Sequence, residues 1–104
     1  MSEKETRPEI QNPFGKTFEI EINNYLGIKK ATIQFPEPKP FYILLSKIEG
    51  GKEGIEFEIG EELINKHCIK SDVEMITDKV YYTLGVMYCL KEFSFYSNFL
   101  KKKY

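Results

Sequence analysis

Three prolines at every second position, Pro36, Pro38 and Pro40, divide this chain more firmly than any other feature. Each removes a backbone donor and fixes φ at about −65°. No β-ladder continues through them, so residues 36–40 read as a stiff, extended connector. Everything before and after must be organised as separate elements.

Before the prolines the chain alternates. Phe18, Ile20 and Ile22 share one face of a strand, while Thr17, Glu19 and Glu21 share the other. Asn23 and Asn24 open a loop reaching Gly27, and a second strand follows with Ala31, Ile33 and Phe35 inward and Lys30, Thr32 and Gln34 outward. In a hairpin Glu19 and Glu21 face Lys30, worth a few tenths of a kcal/mol per pair. Residues 1–13 carry charge, two prolines and one aliphatic side chain, so they are expected to form a flexible tail ahead of a single domain at 14–104.

After the prolines, residues 41–48 (FYILLSKI) are nearly all apolar at first and read as a central strand covered on both faces. Three glycines in residues 49–54 mark a turn. Ile55, Phe57 and Ile59 then alternate with Glu56 and Glu58, which predicts a fourth strand. From Gly60 the period becomes helical through Leu63, Ile64, His67 and Cys68. Ser71 and Glu74 match a capping box. Val73, Ile76, Val80, Leu84 and Met87 form an amphipathic helical stripe. Residues 80–90 also alternate and are rich in β-branched and aromatic residues, so strand stands as the alternative to helix there. Gly85 costs a helix about 1 kcal/mol. Ser94 is placed to cap a last short helix. The expected fold is α+β: a four-stranded, mainly antiparallel sheet over residues 16–59, followed by helices packed on one face.

Composition excludes several classes. The 104 residues are 41% hydrophobic and 30% charged, with a net charge of −1. This is the balance of one folded domain, without the basic excess of a general DNA-coating protein. The longest uncharged stretch, residues 80–90, is about half of what a membrane span needs. No secretory leader is read in the charged N-terminus, and the expected location is cytoplasmic. Fourteen Lys against one Arg, and fourteen Glu with few amides, match the trend of thermophiles, pointing to an archaeal or viral source.

Chemistry-bearing motifs are scarce. No phosphate-binding, serine-hydrolase or metalloprotease signature is present. His67, Cys68 and Cys89 are the candidates for a catalytic or metal centre, but no ligand spacing joins them. Neighbours on a helix do not face each other, so Cys68 does not meet His67. Cys68 and Cys89 are read as thiols, with a disulfide left open. Five glutamates, at 53, 56, 58, 61 and 62, read as a solvated strand face and a helix N-terminus. No cofactor is expected, and the chain is read as no enzyme.

The C-terminal 24 residues hold eight of the fifteen aromatics. As a helix, one side carries Val80, Leu84, Met87 and Tyr88, and the other Tyr82, Val86 and Cys89. One side packs on the sheet, which leaves the second for a partner. The expected function is a small non-enzymatic binding module, a homodimer or a unit docked on a larger protein. Tyr82, Val86, Phe93, Phe95, Tyr96 and Phe99 are its expected contact residues. The alternative is nucleic-acid binding, with the same aromatics stacking on bases and Lys101, Lys102 and Lys103 meeting phosphates.

Overall fold

The alternating segments form the expected hairpin. A computed structural model describes residues 12–103, with side chains through residue 100. Strand β1 (Thr17–Asn24) pairs antiparallel with β2 (Gly27–Gln34), and Tyr25-Leu26 makes the turn between them. Gly27 takes φ 89°, which a side chain would resist. Ile20, Ile22, Ala31, Ile33 and Phe35 are buried, and Glu19, Glu21 and Lys30 point outward. Glu21 lies opposite Lys30, with a nitrogen–oxygen distance of 4.0 Å.

Beyond the hairpin the sheet differs from expectation. Among the described residues its third and last strand is β3 (Cys68–Ser71), antiparallel to β2 on the side away from β1. The architecture is α+β with three strands rather than four. Both segments predicted as strands after the prolines are helices, α1 (Pro38–Glu49) and α2 (Ile55–Lys66).

The physical reason lies in where the prolines fall. Pro38 and Pro40 occupy the first turn of α1, where backbone N–H groups have no intrahelical partner to lose. The N–H of Phe41 is bonded to the Glu37 carbonyl. The run 41–48 is then read with period 3.6. Phe41 and Leu44 are buried and Leu45 and Ile48 half-buried, while Tyr42 and Ile43 face solvent. In α2 the buried set is Ile55, Ile59, Gly60, Leu63 and Ile64, again one helical face, with Phe57 on the other side.

Ser71 lies inside β3, so the capping box does not form, and the short α3 (Glu74–Thr77) starts without a side-chain cap. Asp78 does that work one turn later. Its Oδ1 accepts from the N–H of Val80 at 2.9 Å and of Tyr81 at 3.2 Å. From there α4 (Lys79–Lys103) runs unbroken for 25 residues, past Ser94, so no separate last helix exists. Residues 80–90 are helix, not strand.

Helices α2 and α4 meet the same face of the hairpin and cross closely. A Cβ on Gly60 would stand 2.4 Å from the Val86 carbonyl oxygen, and one on Gly85 would stand 2.9 Å from Ile64 Cδ1. The glycine that weakens α4 as an isolated helix is what lets it approach α2. At one end of the core the rings of Phe14, Phe35, Phe41, Phe93 and Tyr96 interlock, with centroid separations between 5.2 Å (Phe41–Phe93) and 6.1 Å (Phe35–Phe93). Pro13, within the expected tail, is buried; residues 1–11 lie outside the described part.

Candidate functional site

The expected contact residues are distributed through the fold rather than gathered on its surface. Val86 and Phe93 have no exposed area, and Tyr96 is 7% exposed. All three belong to the core, which corrects the expectation that they face a partner. Without the Phe93 and Tyr96 faces, the stacking platform of the nucleic-acid alternative is reduced to the half-buried Tyr82, Phe95 and Phe99. The side chains of Lys101, Lys102 and Lys103 lie outside the described part.

Tyr82, Phe95 and Phe99 are half-buried. Tyr82 faces α2, where its hydroxyl donates to Glu61 Oε2 at 2.8 Å and accepts from Asn65 Nδ2 at 2.9 Å. Burial, and then the Glu61 carboxylate, hold its phenol above the ordinary value. Phe95 is thirteen residues further along α4, about 20 Å by helical rise and about three and a half turns on, so it projects from nearly the opposite side of the helix and the two do not share one surface.

His67 ends α2 half-buried, its imidazole pKa lowered mainly by loss of water, against an opposing pull from Glu62. The Cys68 thiol donates to the Lys70 carbonyl at 3.2 Å. Cys89 is fully buried, and burial, with smaller contributions from Cys68 and Glu92, pushes its thiol up to about 12. A thiol held protonated in this way is a poor nucleophile. Both cysteines are free, which answers the disulfide question. Among the described residues no three His, Cys, Asp or Glu side chains converge as a metal site would require. No helix among them is long and apolar enough to cross a membrane.

The structure exposes a different set. The stripe predicted to be core is at the surface, with Val73 64%, Ile76 41%, Val80 42% and Met87 55% exposed, and Leu84 half-buried. The two sides of α4 were recognisable in the sequence, but their roles are exchanged. The side carrying Gly85, Val86 and Cys89 packs inward, because its small residues permit close approach of α2 and the sheet. The bulkier side is left outside. Gly85 was the signal for the inward side.

Beside this stripe a groove of about 430 Å³ opens between α4 and β1. Glu21, Ile22 and Asn23 form one wall, and Leu84, Met87, Tyr88 and Lys91 the other. No β2 residue lines it, so it lies along the outer edge of β1. The Lys91 ammonium stands 5.9 Å from the Tyr88 ring centre.

A polar clamp fixes the hairpin tip at the start of the same helix. The Tyr25 hydroxyl donates to Asp78 Oδ2. The Tyr81 hydroxyl donates to the Gly27 carbonyl at 2.6 Å and accepts from the Leu26 N–H at 2.8 Å. The bond to Tyr25 is the main reason the Asp78 carboxyl is held below its usual range, and the same bond raises the Tyr25 phenol. The clamp sets β1 and α4 in fixed relation, which gives the groove its walls. No family model, curated protein or solved structure matches the chain.

Proposed function

We propose that this protein is a small non-enzymatic binding module that acts through protein–protein contact, inside the cell, where both thiols stay reduced. Its docking surface is the outer side of α4, centred on Leu84, Met87 and Tyr88, together with the adjoining edge of β1. The observation that carries this reading is the apolar side of α4, with Val80 and Met87 exposed and Leu84 half-buried, beside a groove with an apolar wall. Large apolar side chains left in contiguous exposure mark interaction surfaces more often than scattered single ones do.

The test places a photo-reactive amino acid at Met87, and separately at the exposed Lys52 in the α1–α2 turn as a control. Irradiation in extracts of the native cells should give discrete protein adducts from position 87 and none from position 52. Equal labelling from both positions, or no adduct at 87, refutes the surface.

A further inference from the structure

The chemistry of the partner follows from the outer edge of β1, the edge away from β2. In an antiparallel ladder alternate residues direct their N–H and C=O groups to opposite sides of the strand. The Phe35 N–H reaches the Lys16 carbonyl, whereas the Gln34 N–H reaches the His67 carbonyl and the Lys30 carbonyl accepts from Asp72. Odd-numbered residues of β2 therefore bond β1, and even-numbered residues bond the β3 side. Given the register, the backbone groups of Thr17, Glu19, Glu21 and Asn23 point away from β2. Among the described residues no strand pairs with β1 on that side.

A second copy of the chain fits this edge badly. Outward-pointing residues must pair with outward-pointing residues. With β1 antiparallel to itself, the register of fullest overlap sets Glu19 opposite Glu21 twice. A shift of two residues one way sets Glu21 against Glu21, and the other way Glu19 against Glu19. Like charges directly opposite destabilise a sheet pair, and charged edges are a recognised guard against self-pairing.

The same two carboxylates favour a strand of opposite charge. A segment added antiparallel to β1 would place two residues, spaced by two, opposite Glu19 and Glu21 on the outer face of the sheet. The residues between them would turn to the inner side, over Ile22, Leu84, Met87 and Tyr88 in the groove. We infer that the partner is an extended protein segment alternating Lys or Arg with apolar residues, which adds to β1 as a fourth strand of the sheet. This rests on the proposed binding-module reading and specifies what that surface takes.

The probe is an end-capped Lys-Val alternating heptapeptide, compared with its Glu-Val counterpart and with a Lys-Val peptide interrupted by proline, using the full chain and amide hydrogen exchange resolved by residue. The Lys-Val peptide should bind and slow exchange at Glu19 and Glu21, while the proline-containing peptide should not. In the doubly substituted Glu19→Lys/Glu21→Lys protein, affinity for Lys-Val should fall about tenfold and the Glu-Val peptide should become the preferred one. Gain of the opposite preference shows that the variant is folded. Binding indifferent to the charge swap, binding without protection of those amides, or no binding overturns the inference. So does protection already present in the isolated monomer, or protection that grows with protein concentration alone. Adducts persisting from position 87 alongside any of these results would leave the binding-module reading standing and remove only the strand-addition partner. Loss of both removes the reading itself.

Discussion

Replacing Gly60 by Ala tests the α2–α4 crossing directly, because two opposed effects of known size act at one atom. Alanine is the better helix former by about 1 kcal/mol, so at an unconstrained position in α2 the change would stabilise. Here the new methyl would lie 2.4 Å from the Val86 carbonyl oxygen and 2.7 Å from Val86 Cγ1. A main-chain oxygen inside α4 cannot rotate away, so the helices must separate by most of an ångström along their contact. Overpacking a core costs about 1–3 kcal/mol, and an obstacle made of backbone puts this site at the upper end. The net loss is about 2 kcal/mol, or a fall in melting temperature of about 8–16 °C for a domain of this size. Gly85→Ala is the internal control. Its methyl meets Ile64 Cδ1 at 2.9 Å and Met75 Cε at 3.1 Å, both ends of side chains that can turn. The propensity gain and the repacking cost then nearly cancel, so stability should change by less than about 1 kcal/mol. Urea denaturation followed by far-ultraviolet circular dichroism gives both values. A Gly60→Ala protein as stable as the parent, or more so, would refute the close crossing.

Asp78→Ala removes the cap of α4 and should cost about 0.5–2 kcal/mol, whereas Ser71→Ala should stay within about 0.5 kcal/mol, both read from chemical denaturation. The clamp also fixes a pH window. Asp78 has a lowered folded pKa, so its contribution is present above the unfolded carboxylate value and fades as pH falls through the folded one. Tyr25 is raised, so its contribution is complete below the unfolded phenol value and fades as pH rises through the folded one. Asp78→Asn should therefore flatten the acid limb of a stability–pH profile. With a thiol reagent, the partly exposed Cys68 should react readily and the buried Cys89, its thiol pushed up to about 12, only on unfolding. Equal rates would place Cys89 outside the core. Phe93→Ala should cost about 3–5 kcal/mol, seen as loss of cooperative thermal unfolding.

The hairpin was legible in the sequence because period two is unambiguous when charged residues mark the outer face. Ile20 and Ile22 between three polar residues admit only one register toward a core. The segments after the prolines were not legible by the same rule. Ile55, Phe57 and Ile59 alternate, but Ile55, Ile59 and Leu63 also recur every four residues. The longer pattern decides, because the buried face of α2 continues to Ile64. The prolines misled for a related reason. As a connector they break structure, yet Pro38 and Pro40 are suited to the first turn of a helix, and local chemistry alone does not choose between those uses. The third strand had no signal of its own. Cys68–Ser71 is only four residues long, and its pairing is set by β2 rather than by its own pattern.

In α4 the sequence showed two apolar sides and one sheet to cover, so one side had to remain. Counting large side chains assigns the bulkier side inward, since more apolar area is removed from water there. Past Tyr81, which is buried against the hairpin tip, the structure does the reverse where α4 crosses α2, and distance explains it. Burial area scales with how closely two elements approach, and approach is limited by the smallest separation that the facing residues allow. Gly85, Val86 and Cys89 let α4 settle against Gly60, Ile64 and the sheet. Leu84, Met87 and Tyr88 on that side would have held the helices apart. Further along, where α4 has passed the crossing, Phe93 and Tyr96 turn inward and fill the wider space against Phe35 and Phe41. The surface left over is thus a consequence of how the core closes: the apolar stripe lies outside because the glycines lie inside. Reversing the sides, by exchanging Gly85 with a large residue, would expose the present core before it could bury the present surface.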